Sequence, residues 1–234
     1  MSSKNSDTLK HRRRAGGPPA ATGQGEGASP RRGRPRQVTD EDALEAAMRV
    51  FWAEGYDGAS MDRLSREMAM PRATIYQSFH NKEGLFLDAV AHFGRTRMAD
   101  PRAALQAPSL RAALGGFYDA VITMALAEET APGCLIASSL SAAAGCNPRL
   151  RAQLAHEFDA LEADLTRRIA AARDELAAPQ TPPETLALMV VSVARGLMLR
   201  ARAGCDRETM MAACHATIDA ICIEQSGAVT AQGA

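Results

Sequence analysis

Aromatic residues are scarce in this chain of 234 residues, which has six Phe, three Tyr and one Trp. Alanine is abundant, and glycine and proline gather at apparent breaks, a composition that favours an all-helical protein. Cysteine is sparse as well. Cys134, Cys146, Cys205, Cys214 and Cys222 form no Cys-x-x-Cys and have no histidine at zinc spacing, so neither a metal site nor a cofactor is expected. The chain shows no strand pattern, no internal repeat and no glycine-rich phosphate loop. Nothing in it resembles a nucleophile–base pair or a paired-carboxylate site, and an enzyme is not expected. The longest apolar stretch, residues 186–194, is interrupted by Ser192 and falls far short of the ~20 residues that span a bilayer. No apolar signal-peptide core is present. The expected setting is cytoplasmic, without membrane contact and with reduced thiols.

Excess charge is absent only in the total, where 27 Lys and Arg balance 27 Asp and Glu. Residues 1–37 carry nine of the basic side chains against Asp7 and Glu26, leaving 18 basic and 25 acidic residues in the rest. A basic arm on an acidic body has the asymmetry of a nucleic-acid-binding arm, and a solubilising tail is the other reading. The arm ends in Arg31-Arg32-Gly33-Arg34-Pro35-Arg36. Gly33 and Pro35 keep this segment extended, which suits Arg34 and Arg36 to the narrow minor groove of A·T-rich DNA in the manner of an AT-hook. The first ~30 residues are expected to be disordered.

The most informative stretch is residues 60–82, SMDRLSREMAMPRATIYQSFHNK. Ser60 is a good N-cap, and Asp62 suits the first turn of a helix. Met61, Leu64 and Met68 share one apolar face. Pro71 stops that helix and opens another over 71–79, whose inward residues are Ile75 and Phe79. Its outer face is Arg72, Ala73, Thr74, Tyr76, Gln77 and Ser78, too polar for core and suited to a DNA major groove. Arg72 and Gln77 can read base edges, and Ala73 is placed to touch a thymine methyl. Asn81 caps the next helix, where Lys82 and free backbone N–H groups suit a phosphate. An earlier helix over 39–54 opens with Thr39 and Asp42, presents Leu44, Ala47, Met48 and Phe51 on one face, and stops at Gly55. Trp52 and Tyr56 read as packing residues.

This run resembles the TetR/AcrR family of bacterial transcription regulators. The resemblance rests on Val50-Phe51-Trp52-Ala53-Glu54-Gly55-Tyr56, Ser60-Met61-Asp62, Thr74-Ile75-Tyr76 with Phe79, and Asn81-Lys82-Glu83-Gly84-Leu85-Phe86. It implies an all-α fold with an N-terminal three-helix helix-turn-helix domain and a larger helical domain for effector binding and dimerisation. The expected divisions are a basic arm at 1–37, the DNA-binding domain with its linking fourth helix at 38–97, the effector and dimerisation domain at 102–226, and a disordered tail at 227–234. The family pattern assigns Thr74, Tyr76, Lys82, Ser60 and Met61 to the DNA backbone.

Five helical segments are expected in the second domain: from Ser109 to about Glu128, 134–144, 147–177, 183–203, and from 206 to about Gln225. A pocket is expected among Phe117, Tyr118, Val121, Leu135, Ile136, Phe158 and Leu161, with His156 exposed beside it, and its scarcity of polar groups suggests an apolar effector of unknown identity. In the family the last two helices pair with a partner's copies, which assigns Leu186, Val190, Val193, Leu197, Met210, Cys214, Ile218 and Ile221 to a homodimer interface. The implied function is a repressor released from a near-palindromic double-stranded operator by a small molecule. The alternatives are an activator, a ligand-independent or architectural binder of A·T-rich DNA, and a redox or electrophile sensor using a cysteine such as Cys134.

Overall fold

The computed structural model describes residues 39–127 and 131–223. The basic arm with Arg34 and Arg36, the tail, and the helix ends expected at Glu128 and Gln225 lie outside the described residues. Among those described there are ten α-helices and no strand, only an isolated antiparallel bridge between Leu176 and Cys222.

Local chemistry sets the first four helices. Helix α1 (Asp40–Gly58) opens with the expected capping box, in which Thr39 Oγ1 accepts from the Asp42 N–H at 3.1 Å. Gly55 breaks its regular course at φ 76°, a left-handed conformation that glycine adopts without Cβ strain. Helix α2 (Met61–Glu67) is capped by Ser60, and α3 (Arg72–Phe79) follows Pro71, whose φ of −57° suits a helix start. The turn between them places Ala69 at φ 50°, closed by the Ser65 hydroxyl donating to the Met70 carbonyl at 2.7 Å. Helix α4 (Lys82–Thr96) is capped by Asn81, which accepts from the Gly84 N–H at 2.8 Å. The aromatics gather where α1 meets α4: Phe51 meets Phe86 edge-on at 4.8 Å between ring centres, and Trp52 meets Phe93 at 5.2 Å.

Pro101 and Pro108 do not lie in a plain linker: a short helix α5 (Ala99–Ala104) forms here, and Pro108 follows it. Pro101 lies within its first turn, where its missing N–H costs little. The body follows with α6 (Leu110–Ala127), a π-helical turn (Ile136–Leu140) running into α7 (Ser141–Ala144), α8 (Pro148–Ala170), α9 (Pro183–Arg202) and α10 (Arg207–Ile221). Helix α6, not residues 186–194, is the most membrane-like segment described, with length and mean hydropathy (1.3) sufficient to cross a bilayer. It is a core helix here, with Leu114, Phe117, Tyr118 and Ile122 buried. The N–H of Leu110 is taken by Glu175 at 2.7 Å, and Arg111 and Arg207 pair with Asp219 and Asp119 to hold α6 against α10.

The residues assigned to a dimer face fall elsewhere. Leu186, Val190, Leu197, Met210, Cys214, Ile218 and Ile221 are buried in the chain's own core, and Val193 is half-buried. These stripes are amphipathic faces whose apolar side the protomer uses to pack α9 and α10 against its own helices. The exposed side of α9 carries Leu188, Met189 and Leu199, with Ser192 and Gly196 between them.

Candidate nucleic-acid interface and cavity

Helices α1 to α4 make up the head, and Ile75 and Phe79 anchor α3 in its core, leaving Arg72, Ala73, Thr74, Tyr76, Gln77 and Ser78 exposed. The Arg72 guanidinium meets Asp62 of α2 at 2.5 Å, so one carboxylate sets its direction in the free protein. Ser60 is exposed at the α2 N-terminus, where its hydroxyl accepts from the Arg63 N–H at 3.1 Å, and Met61 is half-buried. Lys82 is folded back rather than extended. Its ammonium lies 4.9 Å over the Tyr56 ring and donates to the Asp57 carbonyl at 3.4 Å, and desolvation lowers its pKa against the raising influence of Asp57.

The joint after α3 is tight. His80 has φ 68° and ψ −50°, and the Asn81 N–H bonds the Phe79 carbonyl two residues back at 2.8 Å. This is a γ-turn of the strained, positive-φ form. A Cβ on Gly84 would fall well inside contact distance of that same carbonyl oxygen. The Asn-Lys-Glu-Gly run therefore needs glycine at its fourth position, a requirement set by close backbone approach.

Behind the head, α1 grips α4 through Glu45. Its carboxylate bonds the buried His92 ring at 3.0 Å, Arg97 at 2.5 Å and Arg49 at 3.0 Å. Burial alone would raise the Glu45 pKa, but His92, Arg97 and Arg49 together bring it below its ordinary value.

In the body a cavity of about 50 Å³ is lined by Phe117, Val121, Ile136, Phe158 and Leu161, all expected there. Tyr118 and Leu135 are not in its wall. Both are fully buried elsewhere, and the Tyr118 hydroxyl donates to the Val190 carbonyl at 3.2 Å. His156 is exposed. The cavity is more polar than the sequence suggested, because Arg102, Glu157 and Arg195 also line it. Arg102 stands at the first position of the expected effector domain, with no sign there of a pocket role. The other two look like surface charges along their own helices, so only the packing of α5, α8 and α9 brings the three together.

Cys134 also lines the cavity. Its thiol is buried, and that burial pushes its pKa up despite nearby backbone N–H groups and Arg195. Its place after Pro132-Gly133 at a helix start favours the thiolate, but that influence is outweighed by burial. Burial likewise raises Cys214, to about 11, and Cys222.

The cavity wall touches the head. Ser139, in the π-helical turn, donates its hydroxyl to the Phe51 carbonyl of α1 at 2.8 Å, a buried bond. Ile136 and Ala137 of the same turn face the cavity.

Comparison with known proteins agrees with this architecture. Residues 43–89 match the bacterial regulatory proteins of the tetR family, and residues 111–217 match the tetracyclin repressor-like C-terminal domain. The chain is 28% identical over 186 residues to the HTH-type transcriptional repressor ComR of Escherichia coli, covering 77% of this chain and 87% of ComR. It is 40% identical over 60 residues to the repressor AcnR of Corynebacterium diphtheriae, covering 26% of this chain and 31% of AcnR. It also superposes on the regulator CifR, solved as a cysteine mutant on 26-bp double-stranded operator DNA, with TM-score 0.72 and 30% identity over 81% of this chain and all of that one. The chain belongs to the TetR family of DNA-binding transcriptional regulators.

Proposed function

We propose that the protein is a homodimeric repressor whose operator is released when a small molecule enters the cavity. The observation that carries this reading is the exposed polar face of α3, held on a buried Ile75–Phe79 anchor, in a chain similar to a regulator solved on operator DNA. In this reading Arg72 and Gln77 meet base edges and Ala73 a thymine methyl. Thr74, Tyr76, Ser60 and Met61 lie along the backbone, with Lys82 swinging off Tyr56 to reach a phosphate. Arg34 and Arg36 enter the minor groove.

Pairing uses the exposed side of α9, with Leu188, Met189 and Leu199, together with the exposed alanines of α10. One head reads a half-site, so two-fold pairing gives a near-palindrome. Release uses the contact between cavity and head. A ligand that displaces Ile136 or Ala137 shifts the turn that bonds Phe51 through Ser139. A coupling of about 1–3 kcal/mol between the two sites is enough to regulate.

Selection of bound sequences from a random duplex pool tests the reading. A near-palindromic consensus is the expected outcome. An A·T-rich pool without two-fold symmetry would overturn it in favour of an architectural binder dominated by the arm.

A further inference from the structure

The charges of the cavity narrow the occupant, on the reading that this cavity is the effector site. Two guanidinium groups, Arg102 of α5 and Arg195 of α9, line it together with one carboxylate, Glu157. Glu157 already accepts from the Gln153 amide at 2.8 Å. The arginines are held from outside the cavity wall. Arg195 reaches Glu162 at 3.4 Å and Arg102 reaches Asp164 at 3.3 Å, both long beside the ~2.7–2.9 Å of a strong charge-assisted bond. Each guanidinium has five N–H donors, and these contacts leave several unused. Arg195 is also pressed against the Phe158 ring at 3.2 Å. Burial lowers its pKa even with Glu162 beside it, so these surroundings hold the cation less well than water would.

The rest of the wall is apolar and adaptable. Met98, Met124 and Met198 line the cavity with Phe117 and Leu161. Methionine side chains reshape readily, and about 50 Å³ is small beside the ~300 Å³ of a ligand site. An occupant must therefore open the cavity by moving side chains that move easily. We propose that the effector is a small amphipathic anion, with an apolar body among the methionines and a carboxylate or similar oxyanion held by Arg195 and Arg102.

This assignment also gives the ligand a direct hold on the head's supporting helix. Arg102 donates from one Nη to the Gly94 carbonyl near the end of α4 at 3.1 Å while its Nε faces Asp164 of α8. An oxyanion that draws Arg102 inward weakens that grip on α4.

The test is calorimetric titration of the full-length protein with three probes of one chain length: octanoate, octylammonium and octanol. Octanoate is expected to bind about tenfold more tightly than either of the others, with Arg195→Gln removing the preference and Glu157→Gln, which takes a repelling carboxylate out of the wall, increasing it. Tighter binding of octylammonium overturns the proposal, as does equal binding of octanol or no binding of any probe. Operator release is measured separately by fluorescence anisotropy. Octanoate that binds with the expected arginine dependence but leaves the operator bound sustains the anion site and removes the release mechanism instead.

Discussion

The head and the cavity use arginine in opposite ways. Arg72 stands on the exposed face of α3, aimed by Asp62 and otherwise open to solvent. Arg195 is turned inward, stacked on Phe158 and tied to Glu162 by one long contact. On the surface, water solvates the charge, and the side chain's position along one helix sets what it can reach. Inside, the charge is set by groups brought from other helices, and its hunger for a counter-charge becomes a recognition device. A local pattern thus defines the head, and tertiary assembly defines the cavity.

Glycines give the harshest test of that contrast. Gly84→Ala drives a methyl into the Phe79 carbonyl at the α3–α4 joint, and a loss of about 2–3 kcal/mol or outright misfolding is expected. Gly115→Ala, within α6, meets nothing within 4 Å and should shift stability by less than about 1 kcal/mol. Thermal melts of both variants compare them. Similar losses would show that the tight joint is not where the head is fixed.

That contrast also explains what was legible. Thr39, Ser60 and Asn81 announce helix starts through side-chain hydrogen bonds within three residues and Pro71 through its fixed φ, and the structure places helix starts at each of them. The outer face of α3 follows from Ile75 and Phe79 being its inward residues. The faces of α9 were harder, because both of its sides carry large apolar residues. The period says which residues go together, not whether the partner is α6 or another chain. Arg102, Glu157 and Arg195 had no shared local signal, being 55 and 38 residues apart in order along the chain.

The pairing face is the next thing to break. Leu199→Glu puts a charge on the exposed side of α9, where Leu199 is 55% exposed in the protomer. We expect the dimer to weaken by roughly thirtyfold or more while the helix content is unchanged. Sedimentation measures the first and circular dichroism the second. A dimer that survives would place the interface on another surface.

Arg72→Ala is expected to weaken operator binding by about 1–3 kcal/mol and to relax the preference at one base pair. Asp62→Asn leaves the guanidinium but removes its guide. Its mark should be a relaxed preference at the same base pair with tighter binding to unrelated sequences, since a negative charge near phosphate is gone. Competition binding over single-base operator variants distinguishes the two. Loss spread evenly over all sequences for Arg72→Ala would remove its role as a reader.

Ser139→Ala cuts the buried bond between cavity wall and head. It should cost about 1–2 kcal/mol of stability, because the Phe51 carbonyl loses a donor. It should also shrink the effect of a cavity ligand on operator affinity while leaving the ligand's own binding near wild type. Operator titrations with and without ligand report this. An undiminished ligand effect would move the coupling to Arg102 and α4.

The smallest expected effect lies in the head alone. Glu45 is a carboxylate whose folded pKa lies below its ordinary value, because its bonds to His92, Arg97 and Arg49 outweigh the cost of burial. A depressed acid contributes stability that is fully present above its unfolded pKa and is lost as pH falls through the folded value. Glu45→Gln should therefore lower stability near neutral pH by about 1 kcal/mol or less, the cluster being partly open to solvent and screened. Once the pH falls below the depressed folded value, wild type and variant should converge, since the native Glu45 is protonated there as well. Chemical denaturation at a series of pH values measures the difference. A gap that persists undiminished into acid would mean that Glu45 holds α4 by shape and neutral hydrogen bonds rather than by its charge.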